Sequence, residues 1–192
     1  MPDIDIDFAD RERALNLFKH VTASRIDDDK LVKHNTGVYM HEVPLNAEEN
    51  LCAVPYEEAE DIEKYFKIDF LNVSLYQGVR DEKHLQQLMT KEPLWELLTH
   101  SDFSDKLFHV AGHSTVLETM KPQSIEQLAA VLAMIRPAKR HLIGQSWDTV
   151  MTQVWTKPED GSYYFKKSHA TAYAIGVVVH MNLICEELSN GA

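Results

Sequence analysis

Asp3, Asp5 and Asp7 recur with a period of two in the stretch Pro2-Asp3-Ile4-Asp5-Ile6-Asp7-Phe8. An extended strand sends successive side chains to opposite faces. The three carboxylates therefore share one face, and Ile4, Ile6 and Phe8 share the other. Alternate positions on a strand lie roughly 6.5–7 Å apart at Cα, so the side chains can lean together and bracket divalent cations. Two-metal phosphoryl chemistry uses carboxylate-held ions about 3.5–4 Å apart. The same pattern also suits an edge strand whose charges discourage aggregation. A second stretch bears on the choice. In Lys67-Ile68-Asp69-Phe70-Leu71, Lys67 and Asp69 share one face while Ile68 and Phe70 share the other. Strand pairing can bring Asp69 beside Asp3 and Asp5, with Lys67 neutralising charge nearby. The plainer alternative is an exposed face next to a lysine.

The elements that must position these residues follow from periodicity and punctuation. Asp10 caps a helix expected to run to about Ser24, with Ala14, Leu15, Phe18 and Val21 as its apolar stripe. Ile26 to Lys33 reads as a turn with a short helix, and Thr36 to Val43 as a strand stopped by Pro44. Phe66 to Leu71 is the third strand. The first strand is expected to be central, between the Thr36 and Phe66 strands, because a terminal strand frays unless its neighbours pin it. From Ser74 the chain turns helical: Arg80 to Thr90, Pro93 to His100, and a short helix capped by Ser101 and Asp102 that ends near His109. Ser124 caps a strong helix to about Met134, which Arg136-Pro137 breaks. A final helix runs from Ala170 to about Leu188, with Ser168 as its cap. The fold class is α+β, with a sheet-bearing part over residues 1–73 and a helical part over 74–192.

The totals narrow the function classes. The 192 residues, 44% of them apolar, make one domain or one domain with a lobe. Thirty acidic against 19 basic residues give a net charge of −11. A whole-surface nucleic-acid binder should be basic, so any such contact must use a local patch. Cys52 and Cys185 stand far apart in no metal-like spacing, which fits a reducing compartment. No signal peptide or membrane-spanning run is visible, and a cytoplasmic protein without membrane partners is expected. The most apolar stretch, Ala170 to Cys185, is interrupted by Tyr173, His180 and Asn182 and reads as a buried helix. His109 and His113 stand four apart, but Ala111-Gly112 weakens a helix there and no third ligand is evident. Both read as structural.

Several segments, in one order along the chain, resemble the catalytic region of the bacterial family C replicative DNA polymerases, the DNA polymerase III alpha subunits. Pro2 to Phe8 is similar to the family's PD-x-D-x-DF motif, and His34-Asn35-Thr36-Gly37-Val38 to its H-x-x-GVV strand. Lys67 to Leu71 is similar to the K-x-DFLG strand, with Asn72 where the family has glycine. Leu107-Phe108-His109-Val110 and Met120-Lys121-Pro122 resemble its VFQL…L-x-P stretch, and Leu128 to Pro137 the helix ending in RPG. Phe165 to Tyr173 resembles FNKSHAAAY.

The resemblance implies a palm-like sheet of the beta-type nucleotidyltransferase kind followed by a fingers-like helical lobe. It implies that Asp3, Asp5 and Asp69 hold two Mg2+ or Mn2+ ions and that Lys67 serves the triphosphate. It places Lys167, Ser168 and His169 in the fingers. Together with Arg136, Lys139, Arg140 and Lys166 they form the expected nucleotide- and DNA-facing set. Primer-template DNA and deoxynucleoside triphosphates are then the partners. No counterpart is found for the family's glycine-serine phosphate cradle or its paired-arginine helix. A reduced polymerase core completed by a second polymerase subunit or replisome protein is therefore expected, of a size that suits a bacteriophage. The alternative is a non-catalytic, polymerase-derived protein that binds DNA or a replisome partner. Nucleotidyl transfer to another acceptor uses the same metals.

Overall fold

The computed structural model describes residues 4–61, 65–158 and 164–191. They form two compact units, Met1–Gln77 and Gly78–Ala192, where the sequence reading placed the break after residue 73. The class is α+β: strands and short helices in the first unit, helices in the second.

Among the described residues the first unit forms a six-stranded mixed sheet. Its strands are β1 (Ile4–Phe8), β2 (Val21–Asp27), β3 (Lys30–Tyr39), β4 (Leu45–Asn46), β5 (Leu51–Pro55) and β6 (Lys67–Asn72), in the order β1-β6-β3-β2-β5-β4. Helix α1 (Arg11–Leu15) follows β1, and α2 (Tyr56–Asp61) follows β5. The alternation of β3 sorts the sheet into two faces. Val38 belongs to a cluster with Ala14, Leu15 and Phe70, against which Phe8, Met40 and Ile68 pack. Tyr39 belongs to another, with Ala23, Cys52 and Ala59.

The helix expected from Asp10 to Ser24 stops at Leu15. Asp10 does cap it, accepting a hydrogen bond from the Arg13 amide at 3.0 Å. Beyond it, β-branched Val21, Thr22 and Ile26 favour a strand. Ser24 is fully buried, and its hydroxyl donates to the Cys52 carbonyl at 2.7 Å. The expected turn and short helix over Ile26 to Lys33 is instead a β2–β3 hairpin. Asp27 pairs with Lys30 across a two-residue loop of Asp28 and Asp29, whose φ angles are 47° and 61°. Both are left-handed, as a type I′ turn requires, and aspartate is among the residues that tolerate it.

The second unit is helical. It comprises α3 (Glu82–Thr90), α4 (Ser101–Ser104), α5 (Ser114–Met120), α6 (Ile125–Met134), α7 (Trp147–Gln153) and α8 (Lys167–Asn190). Ser124 caps α6 as expected, accepting from the Gln127 amide at 3.1 Å. Every residue from Leu128 to Met134 is buried, so α6 is enclosed on all sides. It packs along α8 through Ala170, Ala174, Val177, Val178 and Met181 of the same core. Among the described helices α8 alone is long and apolar enough to cross a membrane, and half of that stretch is buried within the protein. The short helix expected to end near His109 stops at Ser104. His109 is left-handed, with φ 60°, and Gly112 follows with φ 77°. The two histidines therefore share no helix face.

A polar clamp joins α3 to the last turns of α8. Glu186 accepts from Arg80 Nη1 at 2.5 Å and meets buried His84 Nε2 at 2.9 Å. His84 Nδ1 accepts the Arg80 amide at 3.1 Å, and Asp81 caps α3 by accepting the His84 amide at 2.7 Å. The His84 and Arg80 hydrogen bonds hold the Glu186 carboxyl down at about 2, against an ordinary value of 4.5. A carboxyl depressed in the folded state stabilises the fold above its unfolded value. That contribution is lost as pH falls from 4.5 through about 2. Glu186→Gln is therefore expected to lower the urea midpoint at neutral pH and to flatten its decline across that window. A variant with the wild-type pH profile would show that the clamp adds nothing.

Candidate active site

β6 lies between β1 and β3 and carries the centre of the site. It runs parallel to β1, pairing Ile68 with Ile4 and Asp69 with Asp5. On its other side it runs antiparallel to β3, pairing Asp69 with Gly37 and Lys67 with Tyr39. Residues paired in register lie on the same face, and neighbouring strands are about 4.7–4.9 Å apart. Asp5 and Asp69 thus start closer together than two carboxylates on a single strand. Asp3, the third expected ligand, lies outside the described residues.

The expectation that β1 is central is overturned: it is an edge strand, paired only with β6 among the described strands. The reason lies in the hairpin. β2, read from sequence as helix, takes the place beside β3, and β6 has no third side to offer. Asp5 and Asp7 are accordingly exposed, and Ile4 and Ile6 are 41% and 38% exposed on the other face. Partial desolvation of the Asp7 carboxyl and then the Asp5 charge push it above the usual range, and the Tyr76 hydroxyl works against them. Asp7 stands opposite Leu71 rather than Asp69.

Asp69 is only 9% exposed and is held at both oxygens. The Thr36 hydroxyl donates to Oδ1 at 2.7 Å, and the Lys67 ammonium donates to Oδ2. His34 Nδ1 lies 3.7 Å from Oδ1. Tyr56, at the start of α2, closes the group. Its ring meets His34 edge-on at 4.9 Å, with the Lys67 ammonium 5.5 Å from its centroid. Burial, then the Lys67 charge, push His34 below its ordinary value, so it stays neutral at pH 7. Arg11 anchors the site from α1: Nε donates to the Phe70 carbonyl at 2.9 Å and Nη2 to the Thr36 carbonyl at 3.4 Å. Asn72 accepts the Arg11 amide at 3.0 Å, which gives this departure from the polymerase pattern a local role.

The expected nucleotide- and DNA-facing residues all belong to the second unit. Arg136 lies over the Phe165 ring at 5.5 Å, and His169 meets the same ring edge-on at 6.5 Å. Lys166 and Lys167 are exposed at the start of α8. Arg140 is exposed, its Nε donating to the Ile135 carbonyl at 3.3 Å. Lys139 departs from the expectation. It is buried, and its ammonium donates to the Gln153 carbonyl at 2.8 Å and to the Thr156 hydroxyl at 3.0 Å. It closes the end of α7 instead of facing a phosphate, and burial lowers its pKa. Ser168 is not the cap of the last helix either. Helix α8 begins at Lys167, three residues before the expected Ala170, and Ser168 is exposed within its first turn.

Thr36, Tyr56 and Arg11 were not singled out from sequence. Their signal was faint: one β-branched hydroxyl in a motif noted for its histidine and glycine, and an arginine just inside a capped helix. Among the described residues no three His, Cys, Asp or Glu side chains group to hold a metal. Asp5 and Asp69 are two hard oxygen donors on adjacent strands. Magnesium is commonly held by one or two carboxylates, with waters and substrate phosphates completing its shell. The pair offers two such donors in register, although Asp69 already holds the Thr36 hydroxyl and the Lys67 ammonium; a second ion needs a further ligand. No protein-family model matches the chain, and no curated protein matches it in sequence.

Proposed function

We propose that the first unit is a palm-like nucleotidyltransferase centre that adds a deoxynucleotide to a DNA primer 3′-hydroxyl. The observation that carries this reading is the register of Asp5 against Asp69, with Lys67 donating to the Asp69 carboxylate. A magnesium or manganese ion held by that pair would supply Lewis-acid stabilisation of the phosphates and a lower pKa for the attacking hydroxyl. Thr36 keeps the Asp69 carboxylate fixed in orientation. Lys67 exchanges the carboxylate for a triphosphate oxygen when the nucleotide arrives, neutralising charge where it builds up. Asp5, on the exposed edge, faces the side from which primer and nucleotide can approach. Arg136, Arg140, Lys166, Lys167 and His169 give the second unit a local basic and aromatic patch for the DNA backbone or triphosphate. A second polymerase subunit or replisome protein completes the phosphate site.

One observation favours the reading without chemistry. Both Asp69 oxygens are already engaged, so the fold is electrostatically satisfied with no ion. On that reading the protein binds DNA or a replisome partner through the same basic patch. The two are separated by nucleotide incorporation on a primed template with magnesium or manganese. Wild type should extend the primer. Asp5→Asn and Asp69→Asn should each lose at least ~100-fold in rate, about 2.7 kcal/mol of transition-state stabilisation. Absence of wild-type extension, or extension indifferent to both substitutions, would leave the binding reading.

A further inference from the structure

β3 is not a regular strand beside the site, and its irregularity has a chemical consequence. Opposite β2, Thr22 pairs with Val38 but Ser24 pairs with Lys33. Residues 34–37 therefore bulge out against Ala23 alone. Bulges re-aim side chains and occur preferentially next to active sites. Counting back from Val38 in a regular strand, Thr36 would share the Val38 face, with the Ala14, Leu15 and Phe70 cluster. Its hydroxyl instead reaches Asp69, which shares the opposite face.

The bulge is held from inside by one side chain. His34 Nδ1 accepts the Gly37 amide at 2.8 Å and the Thr36 amide at 3.3 Å. From outside, Arg11 Nη2 holds the Thr36 carbonyl at 3.4 Å. Gly37 is required by space: a Cβ there would lie 2.8 Å from Lys67 Cδ and 2.9 Å from His34 Nδ1. The ring, the lysine stem and the bulge backbone therefore fit together only around glycine. Tyr56 packs edge-on against the ring and limits its tilt.

We infer that His34 is a positioning residue for the Asp69 carboxylate: its Nδ1 gathers the two bulge amides and thereby turns the Thr36 hydroxyl onto Oδ1. The assignment rests on the nucleotidyl-transfer reading for its kinetic consequence and on metal binding for its independent one. Partners one shell out from a metal ligand typically affect affinity ~10–100-fold.

The test uses the full chain with His34→Ala, His34→Asn and Thr36→Val, reading manganese affinity, primer-extension kinetics and thermal midpoint. Asparagine places an amide oxygen where it can accept the same two amides, so it should rescue. The expected result is manganese affinity weakened ~10-fold or more in His34→Ala and Thr36→Val but restored within about threefold in His34→Asn. kcat should fall in the same pattern, with KM for the nucleotide unchanged, and the midpoints of His34→Asn and wild type should coincide. Wild-type affinity in His34→Ala overturns the inference. So does an equal loss in His34→Asn accompanied by a lowered midpoint, which marks a merely structural ring. A wild-type protein that binds no manganese overturns it as well. If manganese binding follows the expected pattern but no variant, wild type included, extends a primer, the positioning role stands and the polymerase reading falls. If wild type extends and His34→Ala extends equally, the reverse holds.

Discussion

Lys67→Met is expected to destabilise the protein without metal and to make manganese stabilise it far more than it stabilises wild type. The ammonium and the Asp69 carboxylate form a largely enclosed pair, with side chains only 8% and 13% exposed. Removing one partner of such a pair leaves an uncompensated buried charge, at a typical cost of about 3–5 kcal/mol. Methionine keeps most of the packing of the lysine stem, so the loss is chiefly electrostatic. The ammonium also competes with any divalent ion for Asp69 Oδ2, the oxygen to which it donates. With the lysine gone, the ion takes over as counter-charge, and apparent stability rises with free metal as mass action requires. On the proposed reading, primer extension should move the opposite way and be lost, because nothing would then stand in for the lysine at the triphosphate. Thermal midpoints with and without manganese read the first effect. A variant that melts like wild type and responds to manganese like wild type would mean that Asp69 has no need of either cation.

Asn182→Ala should lower the stability of the helical unit by roughly 3 kcal/mol. Asn182 is 2% exposed, and its amide nitrogen donates to the carbonyls of Leu88 and Lys91, each at 2.9 Å. Those acceptors belong to the end of α3, where helix carbonyls have no intrahelical partner. Each buried acceptor left without a donor costs about 1–3 kcal/mol. Asn182→Leu is the informative control. It restores apolar volume within an apolar helix but supplies no donor, so it should be nearly as unstable as the alanine variant. A leucine variant as stable as wild type in urea would show that apolar packing, and not the two hydrogen bonds, fixes α8 to α3.

The parts legible in the sequence are those governed by local pattern. The alternation of Lys67 to Leu71 gave a strand, Ser124 gave a cap, and Pro137 gave a stop, because each acts within a few residues. The Asp10 cap was also legible, but the length of its helix was not. Leu15, Phe18 and Val21 fit a helical stripe, while the burial of Ser24 against the Cys52 carbonyl depends on a strand far along the chain. The β2–β3 hairpin on one side of β3 and β6 on its other side leave β1 at the edge. The candidate site was legible as residue types, since Asp5, Lys67 and Asp69 carry their chemistry in their identities. Its geometry was not. The bulge at 34–37 exists only in relation to Ala23 on another strand, so neither Thr36 nor His34 announced a link to Asp69. Lys139 shows the converse failure: a lysine in a basic cluster looks solvated until the end of a later helix is packed over it.

The proposed function requires Asp5 and Asp69 to act together across two strands. The direct measurement is manganese binding by electron paramagnetic resonance for wild type, Asp5→Asn and Asp69→Asn. Asp5 and Asp69 are paired in register, and Asp5 is exposed, so Asp5→Asn should fold normally. The expected result is a wild-type site whose affinity falls at least ~10-fold in each single variant. Wild-type affinity retained in Asp5→Asn would contradict it and return the aspartates of β1 to the role of edge charges.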